Sequence, residues 1–125
     1  MLPALYGTWA AWAGDRALSL KLLEEGYGRY QYGRFQQTLE YRLDKVSDPV
    51  ASGPFFANMG GFITGLLFGL PGLKVSSAPP ETWPQRPVVL PQGWEAIECD
   101  RLWVHGRPCR LLARQGAERA ELIPA

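Results

Sequence analysis

Gly53-Pro54-Phe55-Phe56-Ala57-Asn58-Met59-Gly60-Gly61-Phe62, leading on to Gly69-Leu70-Pro71-Gly72-Leu73-Lys74-Val75, is the stretch on which the fold turns. Pro54 suits the first turn of a helix, where its missing N–H would have no intrahelical partner. The apolar run predicts a helix from about Pro54 to Phe68, stopped by Gly69 and barred from continuing by Pro71. Gly60 and Gly61 inside it cost about 1 kcal/mol each relative to alanine. Such a cost is tolerated where a neighbouring backbone or a ligand approaches closely, and packing is the first explanation. Glycines, Asn58 and Pro71 interrupt the run well short of a membrane span of about twenty apolar residues. It reads as a buried core helix.

Working towards the N-terminus, Leu2 to Trp12 carries Leu2, Leu5, Tyr6, Trp9, Ala10 and Trp12 at helical spacing. Gly14-Asp15 ends that helix, and the Asp15 carboxylate is placed to cap the next one. The second helix is expected from about Arg16 to Tyr30, with Leu18, Leu20, Leu22 and Leu23 inward and Lys21, Glu24 and Glu25 outward. A turn this short makes the two helices an antiparallel hairpin. Gly26, Gly28 and Gly33 then loosen the chain. Phe35 to Arg42 reads as extended or irregular, and Leu43 to Ser52 as a polar loop.

Towards the C-terminus, Ser76 to Pro91 holds Pro79, Pro80, Pro84, Pro87 and Pro91, a stiff connector. Beyond it, Trp94 to Cys99, Leu102 to Val104, Cys109 to Ala113 and Ala120 to Ile123 read as short strands. Turns are signalled at Asp100-Arg101, His105-Gly106-Arg107-Pro108 and Gln115-Gly116, which makes a small antiparallel meander. The expected class is therefore α+β: a helical part over 1–76, a proline-rich connector over 77–86 and a β unit over 87–125.

At 125 residues the chain holds one modest core, and 46% hydrophobic with 20% charged residues is globular. A formal net charge of +1 with scattered Lys and Arg argues against a nucleic-acid or acidic-lipid partner. No charged leader segment or small-residue cleavage site marks the start, so the reduced cytoplasm is the expected compartment. Cys99 and Cys109 flank a hairpin, and whether they are bonded is left open by the sequence. One histidine, His105, and two cysteines do not make a zinc-like ligand set. No glycine-rich nucleotide loop and no Ser-His-Asp arrangement is present, and no cofactor is expected.

Chemistry, if present, centres on Phe35-Gln36-Gln37-Thr38-Leu39-Glu40-Tyr41. Side-chain amides and aromatic faces are what a sugar pocket needs, and a carboxylate among them suits acid/base work on a glycosidic bond. The competing reading is a solvated carboxylate in an irregular loop. A turn histidine exposed to solvent is likewise the plain reading of His105.

Ala57-Asn58-Met59-Gly60-Gly61-Phe62, with Leu67-Phe68-Gly69 and Gly72-Leu73-Lys74-Val75, resembles the last core helix of glycoside hydrolase family 65. Thr8-Trp9 and Leu102-Trp103-Val104-His105-Gly106-Arg107 resemble other parts of that family's C-terminal end, and the likeness runs roughly from Leu2 to Pro124. The family contains disaccharide phosphorylases and related hydrolases built on an (α/α)6 barrel. The resemblance implies inversion at the sugar, with an acid on the leaving oxygen and a nucleophile from the opposite face. Aligned back from Met59-Gly60-Gly61, Glu40 falls where the hydrolase branch carries its general base, with Asp44 and Asp48 as neighbouring competitors. Gln36, Gln37, Tyr41, Gly60 and Gly61 then become substrate-binding candidates. The phosphate-binding element of the phosphorylases contains histidine, and the matching Tyr6-Gly7-Thr8-Trp9 has none, which favours hydrolysis.

One departure matters. The family's general acid and most of its sugar pocket lie on barrel helices upstream of the matched region. By this resemblance the chain is the C-terminal fragment of such a barrel, a helical hairpin plus one core helix, incomplete alone. Trp9, Trp12, Phe55, Phe62 and Phe68 would lack barrel partners, so a homo-oligomer or a separate chain supplying the remaining helices is expected. The alternative is a non-catalytic structural module that keeps the fold and oligomerises.

Overall fold

The computed structural model describes residues 3–45, 47 and 53–125. Among these, helix α1 spans Pro3–Trp12 and α2 spans Arg16–Gly26, followed by a 3-10 turn at Gly28–Tyr30. Two-residue strands β1 (Gln31–Tyr32) and β2 (Gln37–Thr38) pair antiparallel. Helix α3 covers Phe56–Thr64, and strands β3 (Ala96–Val104), β4 (Arg107–Arg114) and β5 (Glu121–Pro124) form an antiparallel sheet in the order β3-β4-β5. The class is α+β, as expected.

The Asp15 carboxylate accepts from Leu18 N at 2.9 Å, the cap its position predicts. The hairpin seam differs from the expectation. Leu18 and Leu20 point outward, 41% and 39% exposed, while Ser19, Leu23 and Gly26 are the buried residues of α2. The seam is lined by small residues because the helices approach too closely for four leucines. Ser19 Oγ donates to Gly7 O at 2.7 Å, Gly7 is covered by Leu23, and Gly26 lies against the Pro3 carbonyl. The second helix also stops at Gly26, four residues before the expected Tyr30.

Helix α3 begins two residues after Pro54 and gives way at Gly65–Gly69 to a π turn, in which Leu70 N donates to Gly65 O at 2.8 Å. The close approach expected at Gly60-Gly61 occurs one to two turns later. A methyl group at Gly60 would meet nothing within 4 Å. At Gly65 it would lie 2.6 Å from Thr8 Oγ1, and at Gly69 2.5 Å from Thr8 Cγ2. Gly65 and Gly69 are thus the glycines that let α1 cross this helix. Gly72, at φ +74° and with a methyl position 2.5 Å from Arg86 O, admits no other residue.

In the sheet, the predicted turn at Asp100-Arg101 is an irregularity inside one continuous strand. Cys99 pairs with Leu111 and Leu102 with Cys109, so one extra residue is bulged on β3. The two cysteines therefore do not face each other, and both are free thiols. The β3–β4 loop is His105-Gly106 alone, with φ of 49° and 75°, the backbone a two-residue hairpin of primed type requires. His105 tolerates this because its ring is held: Nε2 donates to Ser76 O at 3.2 Å, and the ring meets Trp83 edge-on at 5.5 Å.

The proline-rich stretch is exposed over 76–79 and packs into the core at Trp83, Val88, Leu90 and Pro91. Trp83, Val88 and Leu90 join Ala11, Leu70, Ile97, Val104, Leu111 and Leu122 in one buried cluster. Lys74 N donates to Trp83 O, and Val88 exchanges hydrogen bonds with Gly116 and Ala117. The link to the helices is Arg16. Its Nε donates to Leu90 O at 2.9 Å, and one terminal nitrogen reaches Pro91 O at 3.3 Å and Trp94 O at 3.1 Å. Gln92 N returns a bond to Arg16 O at 2.9 Å. No helix among the described residues is long and apolar enough to cross a membrane.

Removing the Arg16 fork leaves carbonyls of buried residues without their donor. Arg16→Ala is expected to lower unfolding stability by about 2–4 kcal/mol, read as a lower urea midpoint at unchanged slope. Arg16→Lys should recover only part, since an ammonium cannot span the three acceptors. An unchanged midpoint in Arg16→Ala would show that the clamp carries no weight.

Candidate functional site

Glu40 is positioned by what precedes it. Strand β2 pairs Gln37 with Tyr32 and Thr38 with Gln31, Leu39 N donates to Tyr30 O at 2.8 Å, and Leu39 is fully buried. The Thr38 carbonyl accepts from Phe55 N at 2.8 Å, joining the segment to the start of α3. Glu40 therefore leaves an anchored strand after two buried residues. Its own residue is half-buried, and Tyr41 beyond it is 49% exposed.

The other candidates are distributed unevenly. Gln36 is exposed at φ 50°, and its amide donates to Gly33 O at 3.1 Å, closing the β1–β2 turn. Gln37 is half-buried within β2, Gly61 is half-buried and Gly60 is exposed. Among the described residues, no side-chain hydrogen bond joins Gln36, Gln37 or Tyr41 to Glu40. Glu40 is not among the lining residues of the cavities at Ser77–Glu81, Arg16–Trp94, Thr8–Gly69, Gly28–Asp44 or Trp12–Arg86. Behind α3, Phe62 stacks on Tyr27 with ring centroids 4.0 Å apart.

Of the competing carboxylates, Asp44 is occupied. Arg42 Nε and a terminal nitrogen donate to its two oxygens at 2.9 and 2.7 Å, a bidentate pair at the surface. That hydrogen bonding holds the Asp44 carboxyl below its ordinary range and raises the Arg42 guanidinium. Asp48 lies outside the described residues. Glu40 is thus the carboxylate of this segment that has no ion-pair partner among the described residues.

Periodicity gave no hint of a second feature. Thr38 Oγ1, both amide atoms of Asn58 and Thr8 Oγ1 are buried without a hydrogen-bond partner among the described residues. Thr38 and Asn58 sit on the two segments that the Phe55–Thr38 bond joins. Among the described residues, no group of three His, Cys, Asp or Glu side chains is placed to hold a metal ion. Comparisons with models of protein families, with curated proteins and with solved structures find no match.

The pair beside the site has a pH signature. An Asp with a depressed folded-state pKa contributes stability above the unfolded value, and loses it as pH falls through the folded one. The Asp44 carboxyl carbon should therefore titrate by NMR below an unstructured Asp, and Arg42→Gln should return it to the ordinary value. An ordinary midpoint in the parent chain would remove the pair from solution.

Proposed function

We propose that this chain is the C-terminal portion of an inverting glycoside hydrolase acting on α-glucosides, with Glu40 as its general base. The observation that carries this reading is the placement of Glu40. A half-buried carboxylate without an ion-pair partner among the described residues leaves a strand anchored to the helix of Gly60-Gly61. The resemblance of that helix and its flanks to glycoside hydrolase family 65 supports the same reading. A base must accept a proton from water while an acid about 6.5–9.5 Å away protonates the departing oxygen. The acid, on this reading, belongs to the remaining barrel helices, which would pack against this part as a partner. The outer side of α3 suits such a partner, because Phe56 is 75% and Ile63 49% exposed and Gly60 lies open between them.

A non-catalytic oligomerising module is the second reading. It is favoured by exposed Phe35 and Trp103.

The deciding experiment assembles this part with the remaining barrel helices of such an enzyme. Released glucose and its anomeric configuration are followed by NMR. Glu40→Gln should reduce turnover by about 10²–10⁴, the usual contribution of a positioned base, with unfolding unchanged. A retained rate ends the catalytic reading and leaves the module.

A further inference from the structure

The Arg16 guanidinium is only partly used by the clamp it forms. A guanidinium carries five N–H donors. Nε donates to Leu90 O, and one terminal nitrogen donates to Pro91 O and Trp94 O. The two donors left over are both on the other terminal nitrogen, which has no hydrogen-bond partner among the described residues. Arg16 is half-buried and makes no ion pair among the described residues. Carbonyls carry only partial charge, so three of them orient this cation without neutralising it. Arginine withdrawn from water is ordinarily paired with an anion.

Arg16 lines an open cavity of about 540 Å3 together with Gly93, Trp94, Glu95, Arg114 and Gln115. Gln115 is fixed beside it through a shared neighbour. Leu90 gives its carbonyl to Arg16 Nε and its N–H to Gln115 Oε1, at 2.9 and 2.7 Å. Because the Gln115 oxygen takes that bond, the amide nitrogen keeps both of its N–H groups, and it has no partner among the described residues. Arg114, exposed at the end of β4, adds a second guanidinium without an ion pair among the described residues. The nearby carboxylates do not offset these cations. Glu95 is exposed and pairs with neither arginine, and Asp15 accepts from Leu18 N as the cap of α2. The lining thus holds two cations against one anion, with donors on its two fixed side chains.

We propose that this cavity binds a small tetrahedral oxyanion of the phosphate class, free or as a monoester. The unused terminal nitrogen of Arg16 and the Gln115 amide are its fixed donors, and Arg114 supplies the second positive charge at the rim. Guanidinium is weakly hydrated and suited to such an anion. The site is independent of Glu40, and its test does not involve turnover.

Inorganic phosphate is titrated into the full chain at constant ionic strength held with sodium chloride. Binding is followed by NMR through the Arg16 Nε–H and the Gln115 side-chain amide. Phosphate should shift both saturably, and chloride alone should shift neither. Gln115→Glu keeps the oxygen that accepts from Leu90 N but replaces the donor with a negative charge, and should weaken phosphate at least about tenfold. Arg114→Gln, at the exposed rim, should weaken it about two- to fivefold. Phenyl phosphate separates the sources. Tighter binding than phosphate, with a shift of the Trp94 indole, assigns the site to a monoester, and equal or weaker binding assigns it to the free ion. The proposal is overturned if phosphate moves these resonances no more than chloride does, or if Gln115→Glu binds phosphate as tightly as the parent. Should Gln115→Glu fail to fold, unchanged binding in Arg114→Gln overturns it.

Discussion

The side chain of Arg16 is the interaction on which the rest of this structure depends. It stands at the first position of α2, next to the Asp15 cap, and its guanidinium reaches the carbonyls of Leu90, Pro91 and Trp94. That stretch contains Pro87 and Pro91 and is short of backbone donors, so it offers carbonyls. Guanidinium is a donor-only group of fixed geometry, and it supplies what the stretch lacks. The hydrophobic cluster runs through the same place: Ala11 and Leu70 from the helical side meet Val88, Leu90 and Leu111. Charge and apolar packing therefore bind helices and sheet at one junction.

Small residues govern the helical half. Gly7, Ser19 and Gly26 bring α1 against α2, and Gly65 and Gly69 bring the π turn against Thr8. Where helices touch through glycine and serine, polar atoms are trapped along with the apolar ones. Thr8, Thr38 and Asn58, whose buried side-chain atoms are unpaired among the described residues, all belong to this half. The β half packs differently. Its inward residues are aliphatic, its ladders pair in regular register apart from one bulge, and its polar side chains face out.

Much of the architecture was legible in the sequence, and particular residues show where legibility stopped. Asp15 before a leucine-rich run predicts a capped helix, because capping chemistry is local. Proline and glycine at the edges of 53–75 predict a helix with those limits for the same reason. The leucines of α2 misled because Leu18, Leu20, Leu22 and Leu23 cover several faces, and only contact with α1 selects Leu23 and leaves Leu18 and Leu20 exposed. The Gly60-Gly61 pair drew attention through its wording, whereas the glycines under steric demand are Gly65 and Gly69. At the candidate site, Glu40 could be singled out as a carboxylate among amides. That Gln36 spends its amide on the β1–β2 turn and Arg42 claims Asp44 depends on backbone geometry no spacing rule contains.

By itself the sequence determined what short-range physics can decide: three helices, the Asp15 cap, the proline and glycine break after the third helix, strands near the C-terminus, and the absence of strong net charge. Each follows from a side chain acting on its own or neighbouring backbone. Only the tertiary structure decided which faces are buried, that 100–101 is a bulge and not a turn, and that the prolines of 79–91 flank core residues. It also decided that Thr8, far from Gly65 and Gly69 in the chain, shares a cavity with them. These outcomes depend on contacts between residues distant in sequence, whose distances are set by the whole packed arrangement.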